Sequence, residues 1–474
     1  MRAHRLVSIL VVVFAFAGFG TVARRTPEVV APTFTVLGEP TMPFVPSGSF
    51  ITSSWFCPGV PAGQEGLGGN VVVTNTGDEP IHGELTVFTT AAAPPVTTDI
   101  TVAARASSRL DLTQYQPDGD YLSALVEIDG GGGFVEQQAL HPDGNAVAPC
   151  SNATSSNWYF AEGYTVDGSE WQLVLTNPFP DVASVDIDFV TEQGARSPSK
   201  FQGFPVPGRS VRVVDFGSGA KDEPVIAAEV RARFGRVVAG RSERFAGSER
   251  RGYSMMLGAP SLASQFYFAD GEVGDGITEQ YHLYNPTDQA VTVDVNFLGA
   301  GASFQNDTQI DVGAGGQAML DTKDVAGLPV GRHGSVFSTL SSAGIVVERV
   351  MTRPAGDSIA TTVVMGSPSV LASTRWSGGI SSELAIDDVL VVLNVDNVDT
   401  TVSVSTLGPG GLVPVTGLEA VPLLAGGVIT IPLTDPAVLG RPFVVQSTQR
   451  LYVERLLPRG GDLRGRSGSF ALAG

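Results

Sequence analysis

Cysteine and histidine are scarce in this 474-residue sequence, which contains two cysteines and five histidines. No two histidines have the spacing of a helical metal site, and two isolated cysteines do not make a metal ligand set. The sequence also lacks the Gly-x-Ser-x-Gly motif of α/β hydrolases and any long stretch with helical periodicity. We therefore predict that the protein is not an enzyme, that it has no catalytic residues, and that it needs no metal and no cofactor.

Positive charge is also in short supply. Lysine and arginine together number 29 against 48 acidic residues, which gives a net charge of -19. Residues 1–25 carry four arginines and no acid, so the rest of the chain stands at 25 minus 48, or -23. A surface of this sign repels polyanions, and this argues against nucleic acid as a partner.

A single long apolar run is present, at the N-terminus. Arg2 and Arg5 precede a run from Leu6 to Ala23, which is the layout of an export signal. We predict that residues 1–25 are a signal peptide or a membrane anchor. Both remain open, because the most apolar part has signal-peptide length and the whole run could just span a bilayer. The rest is then extracytoplasmic, either anchored by the N-terminal helix or secreted, and residues 26–50 are a proline-rich linker.

The two cysteines agree with export. Cys57 and Cys150 lie at the start and the end of one stretch of the chain, and an oxidising compartment would pair them. In the entropic model such a bridge stabilises that stretch by about 4 to 5 kcal/mol. Two buried free thiols and a metal site are the alternatives. We predict a disulfide.

The sequence repeats about every hundred residues. Similar residues recur at Val135-Glu136-Gln137, Ser242-Glu243-Arg244-Phe245, Val347-Glu348-Arg349-Val350 and Val453-Glu454-Arg455-Leu456, and their glutamates lie 107, 105 and 106 positions apart. Regular recurrence of this kind indicates one building block used four times. We place the four units at 51–150, 151–262, 263–370 and 371–474. The joints between them are short, which predicts a semi-rigid rod or a compact cluster.

Each unit has the pattern of a β-sandwich. An apolar strand ends in asparagine, and Asn with a following turn residue ends a strand. The next strand alternates strictly, with Val185, Ile187 and Phe189 on one face and Asp186 and Asp188 on the other. Period-two alternation with one polar face is typical of an antiparallel sheet packed on one side. We predict an all-β protein of four tandem immunoglobulin-like β-sandwich repeats, with a β-propeller of two blades per repeat as the alternative.

The recurring glutamate–arginine pair predicts contacts between units. Neighbouring residues of a strand face opposite ways, so one member of each pair points inward or toward the next unit. A salt bridge or hydrogen-bond clamp between repeats is therefore the expected role. Gln137 replaces the arginine in the first repeat, which weakens a shared catalytic use.

Aromatic residues open each repeat, and they are the candidate binding residues. Trp158, Tyr159, Tyr267 and Trp376 either fill the core and the joints between repeats or form a platform on which sugars stack. Acidic turns are a second candidate, because the oxygens of residues 270–276 and 396–399 suit calcium, although such residues more commonly bond their own backbone. His282 is expected on a strand face.

The chain resembles an uncharacterised family of exported, membrane-anchored actinobacterial proteins. The residues that carry the resemblance are the opening Trp158-Tyr159-Phe160-Ala161-Glu162-Gly163, the strand end Asn177-Pro178 and the glutamate–arginine pair. The second and third repeats match best and the fourth least. The resemblance implies an envelope location and β-rich modules, and it carries over no catalytic residues.

These observations predict a non-enzymatic scaffold or protein-binding protein of the cell envelope. The alternative is a carbohydrate-binding protein for envelope glycans, because aromatic residues recur. The expected partners are envelope proteins or glycans and, through the N-terminal segment, the membrane.

Overall fold

The computed structural model describes residues 41–46, 48, 50–299, 308–340, 344–380, 388–433, 435–436 and 438–474. The predicted signal or anchor at 1–25 and most of the predicted linker lie outside these residues. Within them the chain is all-β, as predicted, with short 3₁₀ turns at Leu112–Gln114, Ser199–Phe201, Phe216–Ser218, Thr322–Asp324 and Ser369–Leu371. None of the described helices has the length and apolar character needed to cross a membrane.

Strands fill all four predicted units, and we keep the predicted bounds as the definition of repeats 1 to 4. Repeat 1 contains β1 Thr52–Phe56, β2 Val60–Pro61, β3 Gly68–Asn75, β4 Ile81–Thr89, β5 Val96–Val102, β6 Ser107–Asp111, β7 Tyr121–Asp129, β8 Gly133–Leu140 and β9 Ala146–Pro149. Repeat 2 contains β10 Asn157–Phe160, β11 Glu170–Asn177, β12 Ala183–Thr191, β13 Gly194–Arg196, β14 Phe204–Val206, β15 Ser210–Asp215, β16 Ala227–Phe234, β17 Val238–Ala246 and β18 Arg251–Leu257.

The later repeats follow the same order. Repeat 3 contains β19 Gln265–Val273, β20 Thr278–Asn285, β21 Val291–Leu298, β22 Thr308–Val312, β23 Gly316–Asp321, β24 Gly331–Thr339, β25 Val346–Ala355, β26 Ser358–Met365 and β27 Ser367–Pro368. Repeat 4 contains β28 Ser373–Gly378, β29 Val389–Asn394, β30 Thr400–Gly408, β31 Gly411–Pro414, β32 Val421–Leu423, β33 Val428–Pro432, β34 Phe443–Pro458, β35 Arg466–Phe470 and β36 Leu472–Ala473.

Repeats 1 to 3 each consist of two antiparallel sheets. We call one the inner sheet, with the strand orders β6-β3-β8-β9, β15-β11-β17-β18 and β23-β20-β25-β26. The outer sheets have the orders β1-β7-β4-β5, β10-β16-β12-β13 and β22-β21-β24-β19-β27. In repeat 4 the 16-residue strand β34 runs through both layers, so its strands join into one nine-stranded sheet. The inner layer of repeat 4 ends in β35.

The cores lie between the two sheets of a repeat. In repeat 2, Val185, Ile187 and Phe189 of β12 pack with Leu173 and other side chains of β11, all fully buried or nearly so. The predicted alternation is therefore confirmed, and its apolar face is the one that the inner sheet covers.

An asparagine ends the same strand in every repeat for one physical reason. Each side-chain amide donates to the carbonyl four residues ahead and its oxygen accepts the N–H two residues ahead, at 2.7–3.0 Å, so the side chain closes the turn in place of the backbone. The four residues are Asn75, Asn177, Asn285 and Asn394. All four are fully buried, so they fix the end of the strand and the start of the turn.

The four repeats close into a ring. The edge strands of the inner sheets contact one another in cyclic order, β9 with β18, β18 with β26, β26 with β35 and β35 with β9. Repeat 4 therefore contacts repeat 1 as well as repeat 3. Of the two predicted arrangements, the semi-rigid rod is not formed and the repeats form a compact cluster, because these edge strands pack on each other in cyclic order.

Candidate functional site

The structure shows which residues of the four repeats are equivalent. In each repeat, the residue four positions before the strand-ending asparagine pairs with a residue on the neighbouring strand of the inner sheet. That partner is Gln137 in repeat 1, Arg241 in repeat 2, Arg349 in repeat 3 and Arg455 in repeat 4. The residue before each partner is Glu136, Gly240, Glu348 or Glu454. The predicted equivalence of Glu243-Arg244 with the other glutamate–arginine pairs is therefore wrong. The equivalent residues of repeat 2 lie three positions earlier, at Gly240 and Arg241, because repeat 2 has glycine where the others have glutamate.

The glutamates and arginines form clamps between neighbouring repeats. At the interface of repeats 2 and 3, the Glu348 carboxylate accepts from Arg241 Nη1 at 2.8 Å and from the Ala161 N–H at 3.0 Å. Glu348 belongs to repeat 3, and both donors belong to repeat 2. Glu348 and Arg241 are both fully buried. The predicted salt-bridge clamp between repeats is therefore confirmed here, with Arg241 as the arginine.

The same clamp recurs at the next two interfaces. Glu454 of repeat 4 accepts from Arg349 Nη2 at 2.7 Å and from the Ala269 N–H at 2.7 Å, both in repeat 3. Glu136 of repeat 1 accepts from Arg455 Nη1 of repeat 4 at 2.7 Å. Its second oxygen accepts the N–H groups of Gly379 and Ile380 at 2.6 and 2.9 Å. Each glutamate thus binds one guanidinium and the start of the preceding repeat in the ring.

Additional charges surround two of the three clamps. At the 2/3 interface Glu162 lies 3.1 Å from Arg241 and 2.6 Å from Arg250. Glu243 Oε2 lies 3.4 Å from Arg241 Nε. Burial raises the pKa of Glu348 to about 7, although Arg241 opposes it. Burial, together with the negative charge of Glu162, raises the pKa of Glu243 well above its ordinary value.

The clamp between repeats 3 and 4 has its own supporting acid. Asp270 stands where repeat 2 has Glu162, and it lies against Arg332, Arg353 at 2.9 Å and Arg349 at 3.6 Å. Burial works against its charge, but the three guanidiniums outweigh it and hold the pKa of Asp270 near 2. At the 4/1 interface Ile380 occupies this position, so the acid found there in repeats 2 and 3 is replaced by an apolar side chain.

The interface between repeats 1 and 2 has no clamp, and all three of its parts are replaced together. Gly240 stands in place of the glutamate, Gln137 in place of the arginine, and Pro58, which has no N–H, in place of the backbone donor. Gln137 instead accepts from the Gly59 N–H at 2.8 Å. A Cβ on residue 240 would lie 2.5 Å from the Pro58 carbonyl oxygen, so a glutamate does not fit.

This clamp-free interface is held by apolar packing and a tyrosine. Phe88 and Tyr121 of repeat 1 pack against Val174 and Val211 of repeat 2. The Tyr121 hydroxyl donates to Ser242 Oγ at 2.9 Å, and burial raises the pKa of Tyr121 to about 12. Gly240, Gln137 and Pro58 carry no charge, so the clamp positions need no counter-ion, and the Arg244–Asp143 pair that crosses this interface at 3.9 Å is partly exposed.

Residues 132–243 and 258–437 match the model of a family described as a family of unknown function, DUF5719. These segments cover more than half of the sequence. The chain belongs to this family. The matched residues include both partners of the 2/3 clamp, Arg241 and Glu348.

Three solved structures show a remote similarity to the chain. Thermotoga maritima 1070 is 14% identical with a TM-score of 0.21, covering 23% of this chain and 96% of that one. Streptomyces avermitilis α-L-rhamnosidase complexed with L-rhamnose is 10% identical with a TM-score of 0.16, covering 73% and 46%. The BSP domain of a biofilm-associated protein is 8% identical with a TM-score of 0.13, covering 91% and 98%. No curated protein matches the sequence.

The predicted aromatic binding residues lie in the cores and at the interfaces. Trp158 and Trp376 are each 1% exposed, and each indole N–H donates to a backbone carbonyl at 2.9 Å. Tyr159 is 9% exposed and belongs to the cluster between repeats 2 and 3. Tyr267 is partly exposed, with its ring stacked 4.6 Å from that of Tyr452 in repeat 4. These contacts do not show a platform for sugars, because the faces of the aromatic rings pack against other side chains of the protein.

The predicted disulfide between Cys57 and Cys150 is confirmed. The disulfide occupies a position that is filled differently in repeats 2 and 3. At the equivalent place in repeat 2, the Phe160 ring packs directly over Gly258, and in repeat 3 Phe268 packs over Gly366. Repeat 1 thus replaces an aromatic–glycine contact by a covalent bond. A disulfide indicates an oxidising, extracytoplasmic environment.

The acidic turns hold arginines and backbone amides. Asp270 is enclosed by guanidiniums, and Asp396 Oδ1 accepts from Arg450 Nη2 at 2.6 Å. Asp399 accepts the Ala425 N–H at 2.8 Å. The calcium alternative is therefore not supported at these turns, because cationic or backbone donors already occupy the carboxylates. The described part of the chain contains no histidine, cysteine and carboxylate cluster suited to a metal ion.

His282 lies on strand β20, as expected, but its environment is unusual. It is fully buried opposite Glu348 in the cross-strand register, and neither ring nitrogen has a hydrogen-bond partner among the described residues. Burial lowers the pKa of His282 to about 3. The ring is therefore neutral at physiological pH beside the 2/3 clamp.

A groove of about 600 Å³ lies on the outer sheet of repeat 1. Glu127, Glu84 and Asp99 face each other across β7, β4 and β5 and line it. Like charges directly opposite each other on neighbouring strands repel, so this row costs stability in the absence of a cation. The sequence did not reveal the groove, because strands far apart in the chain bring its carboxylates together.

Proposed function

We propose that this protein is a non-enzymatic scaffold of the cell envelope that binds other proteins on the outer surface of its ring. The proposal rests on one observation, which is that the buried charged residues bind one repeat to the next. Glu136, Glu348 and Glu454 are fully buried, and each binds a guanidinium and a backbone amide of the neighbouring repeat. These groups hold the repeats in fixed positions, as a scaffold requires, and their lone pairs are engaged.

The finer features of the proposal follow from the sequence. We take the repeats to be immunoglobulin-like sandwiches, because two antiparallel sheets with alternating strands enclose each core. The disulfide supports an extracytoplasmic location, and the apolar run at residues 6–23 supports either secretion or a membrane anchor. Carbohydrate binding has less support, because Trp158, Tyr159 and Trp376 are buried and cannot present a ring face to a sugar.

Site-specific photocrosslinking tests the proposal. A photoreactive residue replaces Thr97 or Lys323, which are exposed on repeats 1 and 3. Replacement at Trp171, which is fully buried, is the matched control. In cells that produce the protein, we expect discrete protein adducts from an exposed position and none from the buried one. The absence of protein adducts, combined with co-sedimentation of the purified protein with isolated envelope polysaccharide, would favour glycan binding instead.

A test for activity completes the experiment. Purified protein is incubated with envelope polysaccharide and peptide substrates, and the products are analysed by mass spectrometry. We expect no turnover. Hydrolysis that survives purification and disappears after Glu348→Gln would overturn the non-enzymatic proposal, because Glu348 would then have a role beyond the clamp.

A further inference from the structure

The interface between repeats 4 and 1 differs from the other three in how the chain crosses it. Consecutive repeats are joined by the chain at the 1/2, 2/3 and 3/4 interfaces. At the 4/1 interface the partners are far apart in sequence, and Glu136 and Arg455 are separated by 319 residues. Repeats 4 and 1 can therefore separate without any strand leaving its sheet.

The apolar contact at this interface is small. Its separate buried cluster consists of Val72 and Val147 of repeat 1 with Ile380 and Leu457 of repeat 4, and Leu472 of repeat 4 also packs into the core of repeat 1. The cluster between repeats 2 and 3 has 13 buried residues, including Tyr159, Phe245 and Tyr284. Because hydrophobic stabilisation scales with the area buried, the 4/1 interface gains less from packing than the 2/3 interface does.

The arginine of the clamp at this interface has more unpartnered donors than the arginines of the other two, because Arg241 and Arg349 each leave only Nε without a partner among the described residues. Arg455 is fully buried, yet its Nε and Nη2 groups have no hydrogen-bond partner among the described residues. In repeats 2 and 3 the second acid, Glu162 or Asp270, lies beside the equivalent guanidinium, whereas repeat 4 has Ile380. A buried donor without a partner costs free energy, so burial of Arg455 is less favourable than burial of Arg241 or Arg349.

A short N-terminal segment, residues 41–46, crosses the same interface, and we call it the strap. The Val45 N–H donates to the Ala473 carbonyl of repeat 4 at 2.7 Å. The Gly132 N–H of repeat 1 donates to the Pro46 carbonyl at 3.3 Å. The Phe44 N–H donates to Asn152 Oδ1 at 2.8 Å, just beyond the end of repeat 1. The strap therefore joins the last strand of the chain to the first repeat by backbone hydrogen bonds.

We propose that the 4/1 interface is a latch, which opens as a unit and converts the closed ring into an open arc of four folded repeats. The latch consists of the Glu136–Arg455 clamp, the small apolar cluster and the strap. Opening exposes strands β9 and β35 and leaves every inner and outer sheet intact.

Backbone amides report directly on this opening. Four N–H groups make hydrogen bonds across the latch, those of Gly379 and Ile380 to Glu136, Val45 to Ala473, and Asn145 to Arg459. The N–H of Ala161 makes the matching bond to Glu348 at the 2/3 interface and is the control. Each of these protons exchanges with solvent only after its own interface opens or the protein unfolds.

The experiment is hydrogen exchange on the intact native chain, read at single amides by NMR or by fragmentation mass spectrometry. We expect the four latch amides to exchange together and at least tenfold faster than the Ala161 amide. Glu136→Gln, which keeps an acceptor and removes the charge, should speed the latch amides at least a further tenfold and leave Ala161 unchanged. The matched variant Glu348→Gln should speed exchange of the Ala161 amide and leave the latch amides unchanged.

Two results would overturn the latch. One is equal exchange of the latch amides and the Ala161 amide in the unaltered protein, which would mean that all interfaces open only with global unfolding. The other is faster exchange at Ala161, which would make the 2/3 interface the first to open. Both results are obtained on the unaltered chain, so the test does not depend on whether a variant folds.

Discussion

Replacement of the buried pair between repeats 3 and 4 gives a quantitative test of the clamp. Arg349 and Glu454 are 1% and 0% exposed and lie 2.7 Å apart. Arg349→Met leaves the Glu454 carboxylate buried without its guanidinium, and breaking a buried pair in this way costs about 3–5 kcal/mol of unfolding free energy. Burial already raises the pKa of Glu454, so the orphaned group can take up a proton. We therefore expect a cost at the lower end of that range near pH 5 and a larger cost at pH 8.

The double variant separates the pair from its surroundings. Glu454→Gln keeps an acceptor for the Ala269 N–H and removes the charge. The double variant Arg349→Met, Glu454→Gln removes both charges, so it should cost less than the two single variants together, with a coupling of at least about 2 kcal/mol. Urea unfolding followed by far-UV circular dichroism measures all four proteins. Gln137→Met at the 1/2 interface, which has no clamp, is the matched control, with an expected loss of about 1 kcal/mol. Costs of the single variants that add to within about 0.5 kcal/mol would refute the clamp.

Three further predictions concern other parts of the ring. Burial lowers the pKa of His282 to about 3, so the contribution of the neutral ring to stability is complete above pH 6.5 and is lost as the pH falls toward 3. The free energy of unfolding should fall by up to about 1.4 kcal/mol per pH unit in that range. His282→Leu should remove this slope in a pH series of urea titrations. Replacement of Cys57 and Cys150 by serine should cost about 2–5 kcal/mol in thermal unfolding, and Cys57→Phe with Cys150→Gly, the pair used in repeat 2, should recover part of it. Gly240→Ala should destabilise by about 1–3 kcal/mol because its Cβ would meet Pro58, whereas Gly410→Ala, with open space around it, should change little.

Much of the local structure could be predicted from the sequence. Strict alternation at Val185, Ile187 and Phe189 is a direct consequence of a sheet with one buried face, so the strand and its core side were predictable. The strand-ending asparagines act through hydrogen bonds to residues two and four positions away, which makes their effect local. The disulfide was predictable because two cysteines allow a single pairing.

The clamp was predictable only in part. The recurrence of Glu348-Arg349 and Glu454-Arg455 indicated an interface pair, and the structure confirms it. The register of repeat 2 could not be read from the pattern, because Gly240 removed the glutamate and Glu243-Arg244 lay three residues away. Cross-strand pairing with β11 decides that register, and pairing partners lie far apart in sequence.

Ring closure and aromatic burial depended on contacts between repeats. Nothing local to Glu136 or Arg455 indicates that residues 319 positions apart meet. In the same way, Tyr159 is of a residue type that often binds ligands, and it is buried because repeat 3 packs over it. The periodicity predicted the units, and the packing between units decided which residues remain exposed.

The closed ring is tested most directly by small-angle X-ray scattering from the chain that begins at residue 41. A compact arrangement of this length has a radius of gyration of about 22 Å. Four units in a row, each with a radius of gyration of about 13 Å, would exceed roughly 30 Å. The cyclic contacts of β9, β18, β26 and β35 predict the smaller value, and a radius of gyration above 30 Å at low concentration would contradict the ring.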